Sequence, residues 1–399
     1  MRILFVDDEP NILDGMRRLL YPHRGTWETV FALGGEAAIA HLEAAPFDAL
    51  VTDLKMPGVD GTALLRYARD RHPSMIRIAL SAHTEFEPLL LGKGFELEPL
   101  VHQFLSKPCD PALLRDTIHR VVTLQRLIEN EALRGILGRI EFLPLMPQAP
   151  APSGDLSALS DLVRIAESDP SLSAKLLKIA HSSYYGAPRK STELREVIAH
   201  LGLDVVRELL LSQEIPDELR PLFVAFQHHC LQTGVLLGRI FPSEDAFIAG
   251  LLHDIGILIL FTHFPAEVER IRATVARCGS WYFAEREVLG ATHAEIGAYL
   301  LGLWGLPLSV VEAIAFHHEP WMRPHEEFDL CDALFVANNL CLEHAEKPLL
   351  LLERTQLDHP YLDFMGIGDS LPSWRSIAAE EIEKIEKGDR PETPHSFGR

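Results

Sequence analysis

The most informative stretch of the sequence is Leu50-Val51-Thr52-Asp53-Leu54-Lys55-Met56-Pro57-Gly58-Val59-Asp60-Gly61. Its apolar start is too short for a helix, and the Pro-Gly pair prevents it from continuing as a strand. The pattern therefore places Asp53 at the carboxyl end of a short strand. In an open parallel sheet, ligands bind in the crevice beyond these strand ends, so a carboxylate there is placed for chemistry rather than for packing.

Four other short apolar runs have the character of strands, and they cover residues 3–6, 29–32, 78–80 and 104–105. Amphipathic helical patterns lie between the runs, for example over residues 12–20 and 37–42. This alternation predicts an α/β fold with a doubly wound, five-stranded parallel sheet. All the strand ends then face one edge of the sheet.

Charged and hydroxyl side chains follow several of these runs: Asp7 and Asp8 after the first, Ser81 after the fourth and Lys107 after the last. Three carboxylates at one edge repel one another, and oxygen ligands select a hard cation such as Mg²⁺. Asp53 could then act as a nucleophile towards a phosphoryl donor, because the metal and Lys107 would neutralise the charge on the transferred group. The Ser81 hydroxyl could donate to the phosphoryl oxygens.

On these residues, the segment 1–125 resembles the receiver domain of two-component response regulators. The resemblance implies Mg²⁺ bound by Asp7, Asp8 and Asp53, with Asp53 as the phosphoacceptor. It further implies that Ser81 is the switch hydroxyl, Phe104 the switch aromatic and Lys107 the active-site lysine, with a cis peptide bond between Lys107 and Pro108. The alternative is a flavodoxin-like domain in which these acids coincide by chance.

The composition limits the classes of partner. The 399 residues include 57 acidic and 37 basic side chains, giving a net charge of −20. Such a chain is a poor partner for nucleic acid or anionic lipid, and no helix-turn-helix pattern is apparent. Its five cysteines are scattered, as for reduced thiols, and no apolar run reaches the roughly 18 residues of a membrane span. We therefore expect a cytoplasmic protein with no nucleic-acid or membrane partner.

Residues 110–140 have a helical pattern longer than a usual last receiver helix, and we interpret residues 126–140 as a helical connector. Two helices with a break near Gly135 or Gly138 are the alternative. A proline-rich segment over residues 143–152 follows and cannot be helical, so a new domain begins near residue 141.

The second domain, residues 141–340, has helical periodicity throughout and is expected to be all-α. Its second half carries a run of histidines: His228, His229, His253, His293, His317 and His318. Imidazoles together with Asp254 suit a transition metal or zinc, and side chains from several helices can converge in a bundle core. Each histidine alone would more often be a packed or capping residue.

These residues resemble the HD superfamily, and more closely its HDOD subgroup, which is usually regarded as a non-catalytic signal-output relative. The matching stretches include Phe142-Leu143-Pro144-Leu145-Met146-Pro147, Gly250-Leu251-Leu252-His253-Asp254-Ile255-Gly256, Thr292-His293-Ala294-Glu295 and Phe316-His317-His318-Glu319-Pro320. The resemblance implies a vestigial metal site made of His229, His253, Asp254, His293, His317, His318 and Asn338. His229 fits the family position better than His228.

Two functions compete for this domain. HD-GYP phosphodiesterases hydrolyse cyclic dinucleotides with such a metal site, whereas a relic site would leave the bundle as a docking surface. Three departures favour the relic: Asn338 stands where the closing Asp is expected, Ile257 replaces a common Lys, and no Gly-Tyr-Pro segment follows residues 317–321. A divalent metal in the HDOD domain is still compatible with the retained histidines.

We therefore interpret the chain as a response regulator. A sensor histidine kinase or phosphotransfer protein would phosphorylate Asp53, and the HDOD domain would act on an unknown downstream protein. A C-terminal extension covers residues 341–399, with short helices, a charged helix over residues 378–387 and a disordered end. The sequence leaves the oligomeric state open, with a homodimer among the alternatives.

Overall fold

A computed structural model describes residues 1–82, 100–107, 109–140, 143–144, 158–181, 191–210, 220–345, 357 and 360–387. The chain divides into two compact units, and the main change from the first to the second falls between residues 141 and 142. Each unit is described by itself below.

The first unit is built on a five-stranded parallel sheet of strand order β2-β1-β3-β4-β5. The strands are β1 (Arg2–Asp7), β2 (Glu28–Leu33), β3 (Ala49–Asp53), β4 (Ile76–Ala82) and β5 (Gln103–Lys107), and the helices between them are α1 (Pro10–Leu20), α2 (Gly35–Ala44) and α3 (Gly61–Arg71), with a short 3₁₀ turn at Tyr21–His23. The central strands β1 and β3 are almost wholly buried, as the continuous apolar runs predicted. The predicted doubly wound sheet is confirmed.

The turn after β3 depends on the absence of a side chain at Gly61. A Cβ there would lie 2.0 Å from the backbone oxygen of Asp53, so only glycine allows α3 to start this close to the strand. Asp60 caps the helix by accepting a hydrogen bond from Ala63 N at 2.7 Å. Together these residues turn the chain away immediately after Asp53 and leave its carboxylate at the sheet edge.

The helical pattern over residues 110–140 consists of two helices, α4 (Pro111–Leu127) and α5 (Glu131–Leu137). The chain is non-helical at residues 128–130, and Asn130 caps α5 by accepting from Leu133 N at 3.2 Å. The two-helix alternative is thus correct, but the interruption precedes Gly135 and Gly138, because the capping side chain of Asn130 starts the second helix before either glycine.

Arg77 and His102 attach the end of this segment to the sheet. The fully buried Arg77 guanidinium donates to Leu100 O at 2.7 Å and to Gly138 O at 2.6 Å. His102 Nδ1 accepts from Arg77 N at 3.0 Å, so Nε2 carries the hydrogen and donates to Gly138 O at 3.0 Å. Burial and the neighbouring Arg77 hold the pKa of His102 well below its usual value. A neutral imidazole and a guanidinium therefore share one carbonyl of the connector.

The described part of the second unit is helical and contains no strand. Its helices are α6 (Leu159–Ser168), α7 (Pro170–His181), α8 (Leu194–Leu201), α9 (Leu203–Leu210), α10 (Arg220–Ile240), α11 (Ala246–Leu252), α12 (Ile255–His263), α13 (Pro265–Cys278), α14 (Trp281–Leu289), α15 (His293–Leu303), α16 (Leu308–Phe316), α17 (Leu330–His344), α18 (Pro360–Phe364) and α19 (Leu371–Glu386), with 3₁₀ turns at Pro320–Met322 and Gly368–Ser370. The predicted all-α character of this domain is confirmed.

One stretch of the second unit, Ala246–His263, is long and apolar enough to satisfy the length and hydropathy test for a membrane span, contrary to our expectation that no run would reach that length. It has a mean hydropathy of 1.7, and 89% of it is buried inside the protein. It comprises α11 and α12, which are separated by His253 and Asp254. This burial is typical of the core helices of a bundle.

The C-terminal extension, which we expected over residues 341–399, packs on the helical unit in its described part. Helix α17 continues to His344, and α19 contacts α10 and α17. Tyr361 donates a hydrogen bond to the buried Asp332 at 2.6 Å, and the Trp374 and Phe328 rings stack with centroids 5.7 Å apart. Gly388 and the residues after it, and the leucine run at residues 349–352, lie outside the described residues.

Candidate functional sites

The three predicted acids of the first unit lie together at the carboxyl edge of the sheet. Asp7 ends β1 and is fully buried, Asp53 ends β3 and is 7% exposed, and Asp8 follows β1 and is half-buried. One oxygen from each carboxylate can be chosen such that all three lie within 4.8 Å of one another. This donor set, with only oxygen ligands and partial access to solvent, fits Mg²⁺.

Lys107, at the end of β5, reaches the same cluster. Its Nζ lies 2.9 Å from Asp7 Oδ2 and 2.9 Å from Asp53 Oδ1. Burial lowers the pKa of Lys107, but hydrogen bonds to the two carboxylates outweigh this effect and raise it. Burial raises the pKa of Asp53, and Lys107 opposes that rise. The lysine is thus held as a cation beside the carboxylate that we expect to be phosphorylated.

The other predicted receiver residues flank this cluster. Ser81 lies in β4, one residue beyond the position paired with Asp53, although its side chain is outside the described residues. Phe104 in β5 is half-buried and packs against the core. Pro108, and with it the predicted cis bond, also lies outside the described residues.

In the second unit, the predicted histidines converge on Asp254. His229 comes from α10, His253 and Asp254 from the α11–α12 turn, His293 from the start of α15, and Asn338 from α17, while His317 and His318 directly follow α16. All these side chains are buried except His318, which is half-buried. His228 is exposed and lies outside the cluster.

Gly256 makes this convergence sterically feasible. A Cβ at residue 256 would lie 1.9 Å from the backbone oxygen of His293, so the first turn of α12 touches the backbone at the start of α15. This contact between two helix starts brings Asp254 and His293 within reach of each other.

The two oxygens of Asp254 face two groups of imidazoles. Oδ1 lies 3.3 Å from the Nε2 atoms of both His293 and His317. Oδ2 lies 3.1 Å from His253 Nε2 and 3.8 Å from His229 Nε2. His318 joins the first group, with its Nε2 2.9 Å from His293 Nε2. Asp254 is therefore the carboxylate shared by two sets of candidate ligands.

In three of the imidazoles, the Nδ1 atom contacts an oxygen that accepts hydrogen bonds and cannot donate one. We call these the outer nitrogens, because the Nε2 atoms of the same rings face Asp254. His253 Nδ1 lies 2.7 Å from Gly250 O, His317 Nδ1 lies 2.8 Å from Ile314 O, and His293 Nδ1 lies 2.7 Å from Glu285 Oε2. Each Nδ1 therefore carries a hydrogen, and in a neutral ring the Nε2 lone pair points at Asp254. This is the arrangement in which protein imidazoles bind metal ions.

Several inward atoms of the cluster are buried without a hydrogen-bond partner: the Nε2 atoms of His229, His253 and His317, and the oxygens Asp254 Oδ1 and Asn338 Oδ1. Lone pairs facing a carboxylate are unfavourable unless a cation lies between them. Burial lowers the pKa of His229 to about 3. Burial also lowers the pKa of His293, but Glu285 and Asp254 outweigh this effect and raise it to about 10. The donor set fits a divalent metal ion. Without an ion, a proton on His293 satisfies only part of the buried cluster.

Glu285 is a member of this site that we did not predict from the sequence. It lies in α14, fully buried, and contacts His293 across the turn at residues 290–292. The available signal was an acid directly after the apolar segment Trp281-Tyr282-Phe283-Ala284, eight residues before a predicted ligand.

Profiles of two known families match the chain. The response regulator receiver domain matches residues 3–119, and the HDOD domain matches residues 153–320. The chain thus combines a response regulator receiver domain with an HDOD domain. The predicted two-domain architecture is thereby confirmed.

Individual relatives of this receiver–HDOD protein are distant. An uncharacterized protein of Treponema pallidum is 27% identical over 267 residues, covering 63% of this chain and 52% of that protein. The hydrogenase transcriptional regulatory protein HoxA of Cupriavidus necator is 31% identical over 139 residues, covering 35% of this chain and 26% of that protein. Among solved structures, the MmoQ response regulator of Methylococcus capsulatus is 23% identical, covering 59% of this chain and 98% of that one, with a TM-score of 0.45. The chain thus spans about half or less of the length of these two curated relatives.

Proposed function

We propose that Asp53 accepts a phosphoryl group from a histidine kinase or a phosphotransfer protein, and that this modification controls a non-catalytic HDOD output domain. The contact of Lys107 with both Asp7 and Asp53 supports the proposal most strongly, because it pairs a cation with the candidate nucleophile. The receiver and HDOD domains found in one chain support the pairing of a switch with an output.

Phosphoryl transfer to Asp53 forms a bond between a carboxylate oxygen and phosphorus, while the bond from phosphorus to the donor breaks. Asp7, Asp8 and Asp53 would hold Mg²⁺, and the ion would supply positive charge to the phosphoryl oxygens. Lys107 stabilises the same charge from the β5 side. Because Asp53 lies at the sheet edge, the phosphoryl donor needs access only to that edge.

The strands that carry the switch residues also carry the connector contacts. Ser81 and Arg77 are both on β4, and Phe104 on β5 is two residues from His102. A movement of Ser81 and Phe104 towards a phosphorylated Asp53 would therefore act on the strands that hold Gly138. This is the route by which we expect the receiver to change the surface shown by the connector.

Labelling of the full-length protein with acetyl phosphate and Mg²⁺, followed on phosphate-affinity gels, tests the first step. We expect the wild type and the exposed control Asp14→Asn to be labelled, and Asp53→Asn to remain unlabelled. Labelling of Asp53→Asn at the wild-type level would refute the assignment of the phosphoacceptor.

We place the protein in the cytoplasm, with a downstream protein as the partner of the HDOD domain. A pull-down with phosphorylated and unphosphorylated protein from the same lysate tests the output step. A partner retained equally by both forms would contradict control by phosphorylation.

The buried, partnerless nitrogens around Asp254 favour a second candidate function, a metal-dependent phosphodiesterase of HD-GYP type. A bound divalent ion would activate water for attack on a phosphodiester. The seven residues of the cluster would hold the ion, but Asn338 supplies an amide where that chemistry expects a carboxylate. We therefore propose that the site binds metal without hydrolysing cyclic dinucleotides.

Metal analysis and a cyclic dinucleotide turnover assay on full-length protein distinguish the two functions. We expect metal in the wild type and in the exposed control Asp369→Ala, none in Asp254→Ala, and turnover in no variant. Metal-dependent turnover by the wild type that Asp254→Ala loses would establish the phosphodiesterase instead.

A further inference from the structure

We propose that Glu285 positions His293 for the divalent ion at the HDOD site and supplies the negative charge that Asn338 does not. This inference rests on the metal site proposed above. It assigns a role to a residue that touches no candidate ion but contacts one of its ligands.

Glu285 is fully buried, and its two oxygens meet three donors. Oε1 accepts from Trp281 Nε1 at 2.7 Å, and Oε2 accepts from His293 N at 2.8 Å and from His293 Nδ1 at 2.7 Å. Since every partner is a donor, the geometry suits an ionised carboxylate, which only accepts. The Trp281 ring that donates to Oε1 is itself stacked on Phe261. This packing holds the donor, and through it the carboxylate, in place.

The three imidazoles whose Nδ1 atom carries a hydrogen differ in the group that accepts the hydrogen bond. For His253 and His317 it is a backbone carbonyl, whereas for His293 it is the Glu285 carboxylate. A carboxylate behind an imidazole fixes the ring and raises its basicity as a ligand more than a neutral carbonyl does. His293 is therefore the histidine best prepared to bind a cation.

The balance of charge points the same way. Asp254 supplies one negative charge to the buried cluster, and Asn338 supplies none. A divalent ion with one carboxylate and neutral imidazoles would leave a net positive charge away from water, which is costly. Glu285, one imidazole away from the ion, brings the buried site to neutrality.

A purely structural role for Glu285, as a core hydrogen-bond acceptor, makes a different prediction. In that case a neutral isostere would alter folding stability but leave metal affinity unchanged, and a new charge at residue 338 would not compensate. The two roles are distinguished by metal affinity: only the positioning role predicts that Glu285→Gln weakens binding and that adding Asn338→Asp restores it.

The experiment titrates Zn²⁺ and Mn²⁺ into full-length protein against a chromophoric chelator, with metal stoichiometry measured by mass spectrometry and folding checked by circular dichroism. We expect Glu285→Gln to bind the ion roughly 10–100-fold more weakly than the wild type. Adding Asn338→Asp to Glu285→Gln should recover at least tenfold of that loss. Glu295→Gln is the control, because Glu295 caps the same helix through Thr292 without touching the imidazole.

Wild-type affinity in Glu285→Gln, or failure of Asn338→Asp to recover the loss, would overturn the role of Glu285 and leave the metal site standing. If the wild type binds neither ion, the metal site fails and the inference with it, and that result appears before any variant is made. Should Glu285→Gln not fold, Asn338→Asp alone decides: because Glu285 already neutralises the site, this variant should bind the ion with close to wild-type affinity, and binding at least tenfold tighter overturns the proposal.

Discussion

Lys107 Nζ lies 2.9 Å from Asp53 Oδ1, so a cation is paired with the proposed phosphoacceptor before any phosphoryl group arrives. The lysine and a metal ion compete for the same negative charge, because Asp7 contacts the lysine as well. The lysine should consequently help the transfer step while opposing the binding of metal.

Replacing Lys107 with methionine should therefore separate these two effects. We expect Mg²⁺ to bind on the order of tenfold more tightly, since a positive charge close to the ion is removed. The initial rate of labelling by acetyl phosphate should fall. Calorimetric titration with Mg²⁺ and a labelling time course measure the two quantities, with Lys387→Met as the control. Weaker Mg²⁺ binding by Lys107→Met would contradict this account.

Gly256→Ala should disrupt the helical unit, because the new Cβ would collide with the backbone oxygen of His293 at 1.9 Å. We expect a loss of about 1–3 kcal/mol in the free energy of unfolding, together with weaker metal binding. Gly15→Ala, in α1 with no atom near its Cβ position, should instead gain up to about 1 kcal/mol. Urea titrations of the three proteins make the comparison, and equal stabilities would show that the close contact is unimportant.

His102 should make the protein less stable in acid. Its folded-state pKa is lowered, so below about pH 6.5 the unfolded state binds a proton that the folded state does not. Stability from this group is complete above that pH and is lost as the pH falls. The stability difference between the wild type and His102→Gln should then shrink by roughly 1.4 kcal/mol between pH 7.5 and pH 5.5.

Urea titrations at the two pH values measure the effect of His102, and the exposed His119→Gln variant controls for the change in histidine count. A difference that is constant or grows on acidification would mean that His102 becomes positively charged at least as readily in the folded protein as in the unfolded chain.

Tyr361→Phe tests the attachment of the C-terminal segment. The hydroxyl donates to Asp332 at 2.6 Å, and burial together with that carboxylate raises the pKa of Tyr361. Loss of this donor to a fully buried carboxylate should cost about 1–3 kcal/mol. Thermal unfolding compares the variant with Tyr21→Phe, whose side chain is 59% exposed and which should be neutral. Matching transition temperatures for the two variants would show that the contact contributes little.

The sequence was most informative where local pattern and function coincide. Asp7, Asp53 and Lys107 could be predicted because strand ends in a parallel sheet share one edge. The HDOD histidines could be grouped by resemblance, but only the folded structure shows that they face one carboxylate.

What the sequence did not predict depends on contacts between distant segments or on small local signals. The sequence around Arg77 gives no sign that its side chain is buried and donates a hydrogen bond to Gly138, 61 residues away. Glu285 resembles an ordinary helical acid until His293 is seen to contact it. The interruption before α5 is marked by the single capping residue Asn130, which the longer apolar pattern obscured.

Asp254 presents one oxygen to each of two histidine groups, and this has an evolutionary consequence. A single nucleotide change at that codon would remove the shared carboxylate from both proposed half-sites at once. In a bundle built this way, the distance between a metalloprotein and a metal-free scaffold is one mutational step.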